Sequence, residues 1–155
     1  MPVPDAVDAA DRPDGGRSER LRPLTEELLG SVLGGRGHTC YTDPDGDLVG
    51  SWDGNLFYFL RLGEAGEVLQ VRAMAASRFS VDDVPALYAF CNAWNRDRLW
   101  PKAFVQVNDD GSARVCGEVV TDLERGVTVR QLDQLLDCGI STGRQMCAAV
   151  AELRR

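Results

Sequence analysis

Apolar residues recur at helical spacing in three segments of the chain, and each segment begins with the same signals. Thr25, Ser80 and Thr128 carry hydroxyl groups suited to accept a hydrogen bond from the first turn of a helix. Each is preceded by an apolar residue and followed by another four positions on, a hydrophobic staple that fixes how the chain enters a helix. The pattern predicts helices over 26–33, ended by Gly34–Gly35, over 81–97, and from 129 to as far as 153.

The second predicted helix carries an apolar stripe that indicates which of its faces packs on the core. The stripe follows the i, i+3, i+4, i+7 rule. Its residues are Val84, Leu87, Tyr88, Cys91 and Trp94. All five are expected to be buried.

Two glycines interrupt the apolar stripe of the third predicted helix. Because Gly139 and Gly143 lack side chains, they permit a close approach of the helix to a neighbour. That neighbour is either the sheet of the same chain or a second copy of the protein, and both interpretations stay open.

Six strand-like runs complete the pattern, four before the second helix and two after it. They cover 38–42, 48–52, 56–62, 68–74, 103–107 and 113–120. Short turns rich in Asp, Asn and Gly join them, which predicts hairpins and an antiparallel sheet. The predicted order is α-β-β-β-β-α-β-β-α, an α+β fold with helices packed on one face of the sheet.

Within the fourth run, apolar and polar residues alternate over 69–73. Leu69, Val71 and Ala73 would face the core, whereas Gln70 and Arg72 share the opposite face. That face meets either solvent or a partner, so Gln70 and Arg72 are candidate protein-binding residues.

Trp100 is the third candidate binding residue. It lies in the Leu99-Trp100-Pro101-Lys102 connection after the second helix. Large aromatic side chains anchor both cores and interfaces, so Trp100 is either a core residue or an interface anchor.

Residues 1–23 differ in composition from the rest of the chain. They hold four prolines, a Gly15–Gly16 pair and alternating charges, with little apolar surface to bury. A disordered tail is therefore expected over 1–23, either without a role or used to dock a partner, and a single domain over 24–155.

Charge and hydropathy limit the classes of partner. The formal net charge of -7 repels nucleic acid, and no run of basic residues offsets it. No apolar stretch is long enough for a membrane span, and the N-terminal residues Asp5, Asp8 and Asp11 are unlike a signal peptide. The protein is expected to be cytoplasmic, with no nucleic acid and no membrane as partner.

Cysteine and histidine side chains, which can act in catalysis or bind metals, are present but do not form a recognised catalytic or metal site. The five cysteines are an odd count without CxxC spacing, and His38 is the only histidine. The cysteines are expected to be buried, reduced thiols in packing positions. His38 is expected to be an ordinary strand residue. We expect no metal and no catalytic residues.

Asp43, Asp45 and Asp47 imitate the opening of a calcium loop. The imitation fails downstream, because the sixth position is Leu48 instead of Gly and the twelfth is Gly54 instead of Glu. A hairpin turn explains the same aspartates. With no glycine-rich phosphate motif present either, no cofactor is expected.

The segment from Cys91 to Ala103, with an acidic hairpin and Gly126-Val127-Thr128 after it, resembles the YbjN domain family of bacterial sensory transduction regulators. The matching positions are Asn92, Trp94, Asn95, Trp100, Pro101 and Lys102. The resemblance spans about 24–153 and implies a fold similar to type III secretion chaperones. It implies a non-enzymatic protein that forms homodimers and binds protein segments, and it supplies no catalytic residues.

Together these observations predict a protein-binding regulator or chaperone-like adaptor. The alternative is a small-molecule sensor, which needs a pocket between the sheet and the helices.

Overall fold

A computed structural model describes residues 20–154, which form three α-helices and one seven-stranded antiparallel sheet. The helices are α1 (Glu26–Gly35), α2 (Val84–Asp97) and α3 (Val129–Glu152). The strands are β1 (Tyr41–Thr42), β2 (Leu48–Trp52), β3 (Asn55–Leu62), β4 (Val68–Met74), β5 (Phe79–Ser80), β6 (Lys102–Val107) and β7 (Ser112–Asp122). The predicted α+β class and helix-strand order are confirmed, with the two-residue β5 as an addition.

The sheet runs β1-β2-β3-β4-β7, and β6 pairs with the other edge of β7. Strand β5 continues beside β7 where β4 ends, since Phe79 pairs with Ala113. Tyr58, Arg72, Glu118 and Lys102 are cross-strand partners in one row, so their side chains lie on the same face.

All three helices lie on one side of this sheet. Helix α3 packs on β4 and β7, α2 packs on β6, and α1 packs on α3. A Cβ atom added to Gly139 would lie 2.7 Å from Val71, and one added to Gly143 would lie 2.6 Å from Phe57. The glycines therefore bring α3 against the sheet of the same chain, which decides between the two packing interpretations left open by the sequence.

The predicted helix starts are confirmed. Thr25 accepts a hydrogen bond from the Leu28 N–H, and Ser80 and Thr128 each form a capping box with the residue three positions on. A 3-10 turn over Val81–Asp83 precedes α2 proper.

The predicted end of α1 is wrong, because the helix includes Gly34 and Gly35. Its last residue is Gly35, and Gly37, whose φ is +80°, reverses the chain two residues later. The Gly37 N–H donates to the Gly34 carbonyl, and the His38 N–H donates to the Leu33 carbonyl. Those two bonds form a Schellman motif, which satisfies the last carbonyls of the helix.

Two further details depart from prediction. Tyr88 is exposed although it lies on the predicted stripe, whereas Leu87, Cys91 and Trp94 of the same helix are buried. The first strand is shorter than predicted, since His38 is used in the α1 cap and its ring packs on Trp52 at 5.0 Å.

Candidate functional site

The face of the sheet opposite the helices carries a connected row of polar side chains. The Gln70 Nε2 donates to Glu118 Oε2 at 2.7 Å, and the Arg72 Nη2 donates to Gln70 Oε1 at 3.2 Å. The carboxamide of Gln70 is thus held between a cation and an anion. Gln70 is only 5% exposed, so it positions its neighbours and presents little surface of its own.

Arg72 is more exposed than Glu118, the anion that it faces. Its side chain is 39% exposed, and its guanidinium lies 3.9 Å from a Glu118 carboxylate oxygen. The Arg72 Cζ also lies 5.9 Å from the centre of the Phe104 ring, within reach of a cation–π interaction. Its buried Nε has no hydrogen-bond partner among residues 20–154. The sheet therefore holds at its surface a partly exposed cation whose buried Nε–H group has no acceptor in the described part of the chain.

Apolar side chains flank the polar row on this face. The register places Leu60 and Val120 on either side of Gln70, and Met74 and Phe104 on either side of Cys116. Val120 is 51% exposed. The sequence predicted a polar face from β4 alone, whereas the neighbouring strands make it a mixed face of aliphatic, aromatic and charged groups.

The family-like residues after α2 form a joint between that helix and β6. The Trp94 Nε1 donates to the Pro101 carbonyl at 3.0 Å. The Asn95 carboxamide donates to the Ala103 carbonyl at 2.9 Å and accepts from the Ala103 N–H at 2.8 Å. The Arg98 guanidinium covers the Trp94 ring at 4.3 Å. Trp94 and Asn95 thus have structural roles, while Asn92 and Lys102 are exposed.

Trp100 does not belong to the polar row. Its side chain is half exposed, and Leu99 beside it is 82% exposed. The joint holds this pair at the surface, because Trp94 and Pro101 on either side are buried.

A groove of about 600 Å³ begins at Trp100 and lies between the end of β7 and one side of α3. Its lining consists of Trp100, Val119, Val120, Thr121, Leu123, Gly126, Gln131, Gln134, Leu135 and Cys138. None of these side chains carries a formal charge. Sequence reasoning missed the groove, since its walls come from three separate segments; exposure of Trp100 was the only signal.

The cysteines lie in packing positions. Cys91, Cys116 and Cys147 are buried, Cys40 and Cys138 are half-buried, and all five are free thiols. Burial raises the pKa of Cys91 and of Cys116 to about 11, and that of Cys147 to about 12. These thiols are protonated near neutral pH and therefore poor nucleophiles and metal ligands.

The aspartates that imitate a calcium loop form a hairpin turn. Asp43 Oδ1 accepts the N–H groups of Asp45 and Asp47 at 3.0 and 2.9 Å. Over residues 20–154, no group of three or more His, Cys, Asp or Glu side chains is arranged to hold a metal ion. No helix in the same range has the length and apolarity needed to cross a membrane.

The fold is that of an α+β protein whose antiparallel sheet is covered by helices on one face, with a mixed polar and apolar face left open. The chain belongs to the YbjN family, described as "putative bacterial sensory transduction regulator", whose model matches residues 27–152. The family is thus described as regulators and not as enzymes.

A crystal structure described as that of YbjN, a "putative transcription regulator" from E. coli, has a similar fold. The TM-score is 0.72 at 19% sequence identity, with 86% of this chain and 97% of that chain covered. At this identity the likeness establishes the fold alone. No curated protein matches the chain.

Proposed function

We propose that this protein is a non-enzymatic, chaperone-like regulator that acts by binding another protein through the open face of its sheet. The observation that carries the proposal is the placement of Arg72, a partly exposed cation over Phe104 with apolar side chains around it. Arginine and aromatic residues are enriched among the few side chains that dominate protein–protein binding.

Charge and redox state support a protein partner in the cytoplasm. A net charge of -7 opposes direct contact with DNA, so regulation would run through contact with a protein. The five free thiols are typical of a reducing compartment.

Gln70 has a supporting role in this proposal. Because it is buried between Arg72 and Glu118, replacing it would disturb both charged groups as well as the stability of the sheet. Arg72 and Trp100 are therefore the more informative residues to replace.

The test is affinity purification from the native host with the full chain as bait. Arg72→Ala and Trp100→Ala, tested singly, are expected to weaken capture of the partner by roughly 1 to 3 kcal/mol with little change in melting temperature. Arg96→Ala is the matched control, since Arg96 is an exposed cation already paired with Asp97 at 2.8 Å. Equal capture by wild type and both variants would contradict this binding surface.

A small-molecule sensor is the second candidate, and the groove beside Trp100 favours it. Its volume of about 600 Å³ lies within the range of ligand pockets, and Gln131 and Gln134 supply amide groups among apolar ones. A panel of metabolites screened by thermal shift separates the two functions, because a ligand of the native state raises the melting temperature. A metabolite that stabilises the protein, together with repeated failure to recover a partner, would favour the sensor.

A further inference from the structure

The two edges of β7 use alternate residues for pairing. The Ala75 N–H donates to the Val115 carbonyl at 3.1 Å, so odd-numbered residues of β7 bond toward β4. The Asn108 N–H donates to the Ser112 carbonyl at 2.8 Å, so even-numbered residues bond toward β6. This alternation is the ordinary property of an antiparallel strand.

Strand β7 extends beyond β6 at one end. The last pair between these strands is Lys102 with Glu118, whereas β4 stays paired with β7 as far as Asp122. The N–H and C=O groups of Val120 therefore point to the side where β6 is missing. Across the described range 20–154, neither group has a hydrogen-bond partner in any turn, loop or side chain.

This open edge forms one wall of the groove that begins at Trp100. Val119, Val120 and Thr121 line it on the strand side, and Leu135 and Cys138 line it on the α3 side. The outer edge of β6 is different, since Asn95 already occupies both backbone groups of Ala103. The groove thus combines unpaired strand groups with an apolar wall, the two elements that strand addition uses.

We infer that the groove is a strand-addition site, which takes an extended segment of the partner protein antiparallel to β7, in line with β6. The inference rests on the proposed protein-binding function and names a second contact for it. Residues 119–122 of β7 are paired with β4 but, within the described structure, have no partner on the β6 side. This unpaired stretch gives room for about four residues, or about 13 Å of extended chain.

Charge determines what kind of segment fits. The groove lining is uncharged, so a carboxylate or ammonium buried there would lose its hydration without a partner. Lys102 and Asp122 lie at the two ends of the unpaired stretch. The expected segment has an uncharged centre, a basic residue toward its N-terminal end near Asp122 and an acidic residue toward its C-terminal end near Lys102.

The chain's own N-terminal segment fits this chemistry less well. It joins the described structure near the groove, where Leu21 and Arg22 approach Gly126. However, aspartates recur at positions 5, 8, 11 and 14. A partner segment with an uncharged centre is the occupant with the lower desolvation cost.

The experiment selects a phage-displayed library of random dodecapeptides against the full-length chain and measures binding of the selected peptides by fluorescence anisotropy. Val120→Pro removes the N–H that would pair with an incoming strand but leaves the bonds of β7 to β4, which use odd-numbered residues. It is expected to weaken binding about tenfold, the effect of roughly one lost hydrogen bond. Val120→Thr changes the same side chain but retains the N–H, and is expected to weaken binding less than Val120→Pro does.

Backbone N-methylation of a selected peptide provides a second measurement on the wild-type protein, which decides the matter if Val120→Pro does not fold. Methylation should abolish binding at every second peptide position, where the N–H would pair with β7. At the positions between, methylation should leave binding unchanged. Selected peptides that bind Val120→Pro as well as wild type, lack this alternation or carry charges at their centre would overturn the site. Three further results would overturn the site. These are a failure to select any peptide, peptide binding only after residues 1–19 are removed, and a loss of peptide binding as the chain self-associates.

Capture from the native host separates this inference from the proposed function. A host partner whose capture depends on Arg72 but not on Val120→Pro would overturn strand addition and leave the protein-binding function standing. A partner that depends on neither residue would contradict both surfaces.

Discussion

The carboxamide of Asn95 pairs with both backbone groups of Ala103, at 2.9 and 2.8 Å, as a neighbouring strand would. Asn95→Asp keeps the acceptor but loses the donor and places a carboxylate against the Ala103 carbonyl. We expect a loss of about 1 to 3 kcal/mol in the free energy of unfolding, measured in urea. Asn92→Asp adds the same charge to an exposed site on the same helix and should cost much less. Equal effects would mean that helix charge, and not the pairing, is being measured.

Gly143 and Gly30 predict opposite effects of the same substitution. A methyl group at Gly143 would lie 2.6 Å from the Phe57 ring and 3.0 Å from Ala73. Gly143→Ala is expected to destabilise the protein by about 1 to 3 kcal/mol through overpacking. At Gly30, an exposed site in α1, nothing lies within 4 Å of the added methyl group. Gly30→Ala should stabilise by up to about 1 kcal/mol through helix propensity, and thermal melts of both variants check the pair. A stable Gly143→Ala would show that α3 can move away from the sheet.

The buried thiols predict how stability changes at high pH. Burial raises the pKa of Cys116 to about 11 and that of Cys147 to about 12, from an ordinary value of 9.0. A raised pKa means that the folded state holds the proton more tightly, so this contribution is complete below the ordinary value and is lost as pH rises toward the folded one. Each thiol should lower the free energy of unfolding by at most about 1.4 kcal/mol per pH unit across that window.

Urea unfolding of wild type and Cys116→Ala at several pH values above neutrality isolates the thiol from the tyrosines, which are common to both proteins. The alanine variant should show the shallower decline. Parallel curves would exclude Cys116 as a source of the pH dependence.

Truncation at the N-terminus tests where the domain begins. Removal of residues 1–19 should leave the melting temperature unchanged, because their composition offers little apolar surface to bury. Removal of residues 1–23 should lower it, since the Arg22 N–H and C=O pair with Val127 at 3.0 and 2.8 Å. Equal melting temperatures for the two truncations would remove Arg22 from the stabilising contacts.

The homodimer that the sequence resemblance leads us to expect can be tested by light scattering over a range of concentrations. Gly139 and Gly143 no longer support this expectation, because they contact the sheet of their own chain. A mass of twice 16.9 kDa is expected. A monomer at every concentration would contradict the dimer while leaving the strand-addition groove available.

Local signals explain why much of the fold was predictable. Thr128 with Gln131 marks the start of α3, and the alternation over 69–73 indicates which residues of β4 face the core. Each feature depends on residues within one helical turn or one strand. The end of α1 was predicted wrongly, because its cap is formed by the N–H groups of Gly37 and His38 together. Both residues lie beyond the last residue of the helix.

The candidate site depends on residues far apart in the sequence and was less predictable. Gln70 was expected at the surface, but it is buried, and Glu118, 48 positions away, accepts the hydrogen bond that makes this burial possible. The groove requires β6 to end at Lys102 while β7 continues to Asp122, a difference in pairing that no local pattern records.

The position of β7 in the sheet also bears on how the chain acquires its structure during synthesis. Strands β4, β5 and β6 all pair with β7, which is the last strand to be made. At ribosomal speeds, β4 emerges about 2 to 10 s before its partner, and during that interval its edge is open to other nascent chains. The four-stranded meander β1–β4 thus keeps an open strand edge until β7 is made, and α3, which packs on both β4 and β7, is synthesised only after them.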